Sequence, residues 1–139
     1  MLSFDGDLIN TIKKVEIYNV DEILPQLFAD WASLTEVKIS GPKIIGFEAF
    51  KSCKNLTKLT LEAPLELIEE EAFANTGLTG SIWLPDTLRK VKEKAFYNTH
   101  CNLKVNKDRT TGLSFSSKDR EWVNSHVKAI NVQQSGRGN

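Results

Sequence analysis

Seven side chains in this sequence are of the kinds that enzymes and metal sites gather: Glu69, Glu70, Glu71, Cys53, Cys101, His100 and His126. The three carboxylates stand in a row within LIEEEAFANTGL, Leu67 to Leu78. Clustered acids can share a proton or hold a divalent cation, and a cysteine beside a histidine can be an activated nucleophile. Both chemistries require groups that converge on one point. Adjacent residues such as His100 and Cys101 rarely do, and the sequence contains no HExxH, GxSxG, P-loop or CxxC motif. No catalytic residue, metal site or cofactor is therefore expected, and the acid run must be judged by the element that carries it.

Composition narrows the classes further. The 139 residues suffice for one domain, and 18 basic side chains balance 18 acidic ones. A dedicated nucleic-acid binder usually carries a basic excess to neutralise phosphates, so a nucleic-acid partner is not expected. No run of about 18 apolar residues exists to span a bilayer, and membrane insertion is not expected. Asp5 and Asp7 stand where a secretory signal would have its basic and apolar regions. The chain is accordingly expected to be cytosolic or to have lost a leader.

The elements that position these residues recur. Phe28, Phe50, Phe73 and Phe96 follow one another at steps of 22, 23 and 23. Five residues before each stands an aliphatic: Ile23, Ile45, Ile68 and Val91. Apolar pairs spaced by two, the strand signature, begin at Val15, Val37, Leu59, Ile82 and Leu103, at steps of 22, 22, 23 and 21. Turn formers follow most of them: Ser40-Gly41-Pro42, Ala63-Pro64 and Pro85-Asp86. Short strands at such a period predict a solenoid, with the I-x-x-x-A-F segment as a short helical or 3₁₀ turn whose Ala-Phe points inward. The coil containing LTGSIWL has one extra residue.

The run from Ile45 to Leu61, I-G-x-x-A-F-x-x-C-x-x-L-T-x-L-x-L, resembles the BspA-type leucine-rich repeat. The resemblance extends over roughly Ile23 to Val105, with Leu27 in place of the first alanine and Glu69 and Lys92 in place of Gly46. It implies an α/β solenoid, a right-handed leucine-rich-repeat coil with a short parallel sheet of about five strands and a period of about 22–23. It also implies an adhesin-like or receptor-like role at a cell surface.

A solenoid needs both ends covered. The predicted organisation is a single domain over 1–132, with an N-terminal cap at 1–12, repeats at 13–105, a C-terminal cap at 106–132 and a disordered tail at 133–139. In the C-terminal cap, KDRTTGLSFSS is expected as a loop. SSKDREWVNSHV is expected as a short helix capped by Ser116 or Ser117, with Trp122 and Val123 over the open end and Ala129 to Val132 as a last strand. Glu69, Glu70 and Glu71 fill slots held by Gly46-Phe47-Glu48 and Lys92-Glu93-Lys94 in neighbouring coils, which predicts a solvated edge able to pair with Lys92 and Lys94. Cys53 and Cys101 lie two coils apart, about 10 Å at the strand spacing. A disulfide needs Cα atoms within about 7 Å, so free thiols are expected. Asn55-Leu56-Thr57 matches a glycosylation sequon.

The function predicted from these observations is non-enzymatic protein binding through the exposed sheet face, by a monomeric module; the alternative is a structural or adhesin fragment of a larger surface protein. Outward positions Glu16, Lys38, Thr60, Trp83 and Lys104 should form a column, with Glu62 and Tyr18 as further partner-binding candidates. Trp83 is the expected anchor. Its alternatives are packing along the stems of Lys38 or Lys104, or filling a gap left by Gly77 and Gly80.

Overall fold

The computed structural model describes residues 9–109 and 112–130. Each period contributes a strand with alternating buried and exposed residues, then a two-residue strand ending in the aliphatic anchor. The first set comprises β1 (Lys14–Ile17), β3 (Glu36–Ile39), β5 (Lys58–Leu61), β7 (Thr79–Trp83), β9 (His100–Asn106) and β11 (Val127–Ile130). The second comprises β2 (Glu22–Ile23), β4 (Ile44–Ile45), β6 (Leu67–Ile68), β8 (Lys90–Val91) and β10 (Ser114–Phe115). All pairings are parallel. Strands so short hold because each backbone group finds its partner one coil away.

The sheet is not the single ladder of about five strands that the spacing predicts. The longer strands form two three-stranded sheets, β1-β3-β5 and β7-β9-β11, and the two-residue strands form a five-stranded sheet, β2-β4-β6-β8-β10. The break between β5 and β7 comes from the extra residue. Thr79 N–H still donates to Thr57 C=O at 3.4 Å, then Gly80 takes φ +73° and the chain slips by one. A slip of one residue in one strand puts its N–H and C=O groups out of phase with the neighbour's, as in a bulge.

The Ala-Phe segment differs as well. Its i→i−3 turn bonds occur only at alternate residues, as at Ala49 to Gly46, Lys51 to Glu48 and Cys53 to Phe50. The residues between donate to the adjacent coil instead: Glu48 to Glu70, Phe50 to Ala72 and Ser52 to Ala74. Left-handed residues at Glu48 and Ser52, and at Glu71 and Asn75 one coil on, turn the chain so that both sets are met. A helix or 3₁₀ turn would spend every N–H inside its own coil. Here half of them join coil to coil, and the segment is a repeated double turn.

Inside this frame the phenylalanines stack. Ring centroids are 5.1 Å apart for Phe28–Phe50, 5.2 Å for Phe50–Phe73 and 5.3 Å for Phe73–Phe96, with planes within 14° of parallel. Trp31 meets Phe28 edge-on at 4.8 Å and closes the stack at its N-terminal end. Ile9 and Ile12 pack on the same core, and the Ser33 hydroxyl lies within hydrogen-bonding distance of both their carbonyls. The rest of the predicted N-terminal cap, including Leu2, Phe4 and Leu8, and the tail at 133–139 lie outside the described residues.

The C-terminal end is a disguised sixth coil. Phe115 pairs with Val91 as the next anchor, in a strand where a loop was expected. Ser116 caps a 3₁₀ turn at Ser117–Asp119, its hydroxyl accepting from Lys118 N–H, and α1 (Arg120–His126) follows. Trp122 on α1 stacks on Phe96 at 6.1 Å, taking the next place in the ring column, and His126 stacks on Trp122 at 4.3 Å. The final strand, β11, begins at Val127, two residues before the expected start, and pairs with β9.

Phe73 touches rings on both sides and is fully buried. Phe73→Ala is expected to cost about 3–5 kcal/mol in urea denaturation, as for other buried aromatics cut to alanine.

Candidate partner-binding surface

Alternation along each strand divides the candidates from the core. In the first sheet, Val37 and Ile39 are buried while Glu36 and Lys38 face out, and Glu16, Lys38 and Thr60 lie in register. In the other long-strand sheet, Trp83, Lys104 and Lys128 lie in register. The expected column thus exists as two rows, Glu16-Lys38-Thr60 and Trp83-Lys104-Lys128, parted at the Gly80 slip. Lys128 was not among the sequence candidates. Its strand could be seen coming from AINV, but its register could not.

The rows differ in their electrostatics. Glu16 accepts from Lys14 Nζ at 3.3 Å and from the Tyr18 hydroxyl at 3.1 Å, and Lys14 also approaches Glu36 at 4.0 Å. These hydrogen bonds, Lys14's first and Tyr18's second, hold the Glu16 carboxyl below the usual carboxylate range. Tyr18 and Glu16 therefore act on each other, which leaves them less available to a partner. In the second row Trp83 is 42% exposed. Gly77 leaves no gap for it to fill, because a Cβ there would come within 2.5 Å of Lys54 C=O, whereas Gly80 borders open space and Lys104 is the register partner of Trp83 on β9. Beside Trp83, where β5 and β7 run into turns, lies a groove of about 430 Å³ lined by Glu62, Ala63, Pro85 and Asp86 among others. Sequence spacing placed Glu62 on the face but gave no sign of the groove, whose walls come from three coils.

The acid run is a solvated edge. Glu69 pairs with Lys92 at 2.8 Å, as expected, but Glu71 pairs with Lys51 at 2.9 Å rather than with Lys94. Lys51 also meets Glu48 at 2.9 Å, and Gln26 Nε2 donates to Glu48 at 2.8 Å. Lys94 lies instead over the Tyr97 ring at 5.3 Å, and its backbone N–H donates to Asp119. Among the described residues no three His, Cys, Asp or Glu side chains are grouped to hold a metal ion, and no helix is long and apolar enough to cross a membrane.

Cys53 and Cys101 are free and fully buried. The Cys53 thiol donates to Phe28 C=O, and burial pushes its pKa up to about 12; burial raises Cys101 too. His100 is exposed while Cys101 beside it is buried, so the pair points apart along β9. His126 Nδ1 lies 2.8 Å from Trp122 C=O, on the cap. Asn55 Nδ2, the atom a glycan would take, donates to Ala32 C=O at 2.6 Å and is part of a coil contact.

The family description "BspA type Leucine rich repeat region (6 copies)" matches residues 5–107. The chain belongs to the BspA-type leucine-rich repeat family. No curated protein and no solved structure matches it. Leucine-rich repeats generally mediate protein–protein interaction and are generally not enzymes.

Two outcomes follow for this BspA-type array. A thiol titration at pH 8 should find neither cysteine reactive in the native state and two in denaturant, with native labelling limited by unfolding. Hydrogen bonds from Gln26 and then Lys51 depress the Glu48 pKa, while bonds from Lys51 to Glu71 and then Glu48 raise the lysine's. The Glu48 contribution is complete above the unfolded carboxylate pKa and is lost as pH falls through the depressed folded value. The Lys51 contribution is lost only as pH rises through its raised value. Urea midpoints should therefore hold level at neutral pH and fall in acid, and Glu48→Gln should flatten the acid limb.

Proposed function

We propose that this BspA-type array is a protein-binding module whose partner docks on the strand face around Trp83. One observation carries the proposal: a tryptophan 42% exposed at the end of a strand, beside a groove and in register with two lysines. Tryptophan is enriched among residues that dominate binding energy. Lys104 and Lys128 on one side, with Glu62 on the other, supply charge that orients a partner. Lys38, Thr60 and, to a lesser degree, Glu16 and Tyr18 extend the contact across the first sheet. The role suits adhesion or receptor-like capture at a cell surface, the setting that the family resemblance implies. We further propose a monomer, since Trp31 and Trp122 cover the two ends of the ring stack.

Peptides selected from a displayed library on the immobilised protein test the proposal. Trp83→Ala should weaken them at least about tenfold, as for a central aromatic anchor, with the urea midpoint unchanged. Tyr97→Ala, an exposed aromatic at another site, should bind as the parent does. Equal affinity for the parent and Trp83→Ala would sink the strand-face assignment.

A further inference from the structure

The groove beside Trp83 brings an aromatic ring and the Glu62 carboxylate to one place. Several carboxylates elsewhere are answered by lysines of this chain: Glu16 and Glu36 by Lys14, Glu48 and Glu71 by Lys51, Glu69 by Lys92. Glu62 is exposed and makes no ion pair among the described residues. It stands on the rim of the groove with Asp86, and no lysine or arginine lines the space. Ala63 and Pro85 give apolar surface, and Trp83 an aromatic wall. An aromatic face with carboxylates at its rim suits a cation on an apolar stem: the ring quadrupole attracts the charge, and the stem lies along the apolar wall.

We propose that this groove receives an arginine or lysine side chain of the protein partner, arginine being preferred. The inference rests on the strand-face assignment and adds to it the class of residue recognised. Arginine suits the groove better because its planar guanidinium stacks on an indole while its fork bonds to a carboxylate. A volume of about 430 Å³ admits one long side chain with its neighbouring backbone. An acidic segment would meet Glu62 with like charge; its place is the opposite side of Trp83, toward Lys104 and Lys128.

The test is an NMR titration of the Trp83 indole N–H, assigned by its loss in Trp83→Phe. The probes are three acetylated, amidated tripeptides with arginine, glutamine or glutamate between two glycines. The arginine peptide should shift the resonance in a saturable way, at least about fivefold more tightly than the glutamine peptide, the gain expected of one cation–aromatic contact. Glu62→Gln should weaken it about threefold or more while the other backbone resonances stay in place, and added salt should weaken it too. An equal response to glutamine, a response to glutamate instead, or no response to arginine overturns the proposal. The two assignments fail differently. Selected peptides that need Trp83 but carry no essential basic residue sink the groove alone; peptides indifferent to Trp83→Ala sink the face and the groove with it.

Discussion

Every coil must place its backbone in hydrogen-bonding register with the coil before it. Between coils the bonds run through long strands, two-residue strands and the double turn of the Ala-Phe segment, where alternate N–H groups reach forward to the next coil. Strand spacing fixes the coil-to-coil rise at about 4.8 Å, and the phenylalanine rings stack at 5.1 to 5.3 Å because that is the rise they are given. Centroid separations of that size lie in the favourable range for offset-stacked rings. Backbone pairing and ring packing thus ask for the same geometry, and the repeat satisfies both.

The same constraint explains the one irregularity. A coil with an extra residue cannot keep every ladder in phase. Here the two-residue strands and the Ala-Phe turns keep theirs, and the slip falls at Gly80, where φ is +73° and a side chain would meet open space. The long-strand ladder therefore breaks between β5 and β7. Trp83 lies just beyond the break, and the groove opens where the two strands run into their turns. A departure from strict repetition and the best binding candidate thus sit together, as expected where a repeated frame is adapted to a particular partner.

Outside the ladders the surface is permissive. Glu48, Glu71 and Lys94 share one left-handed position although their charges differ, because the backbone needs the conformation whatever the side chain. Their pairings are set by reach across coils, Lys51 bridging Glu48 and Glu71 while Lys92 takes Glu69. Such exposed pairs each contribute about 0–1 kcal/mol, so the edge can change its charges without endangering the core.

The sequence alone determined the repeat, its inward skeleton and the outward positions, because burial alternates with period two along a strand and recurs with the coil. Ile68, Ala72, Phe73 and Leu78 are buried as their spacing requires, and Cys53 and Cys101 are the free, buried thiols that coil counting implied. Trp83 was legible as an outward aromatic for the same reason. Only the tertiary structure decided which coil bonds to which at each backbone atom. It turned the expected helical turn into a double turn that shares its N–H groups between coils, and it read the extra residue as a break in one sheet. It also made Phe115, Trp122 and β11 a sixth coil, seven residues separating anchor from ring where the others have five. These outcomes depend on which partner a backbone group or ring finds across space, and spacing along one chain does not encode that choice.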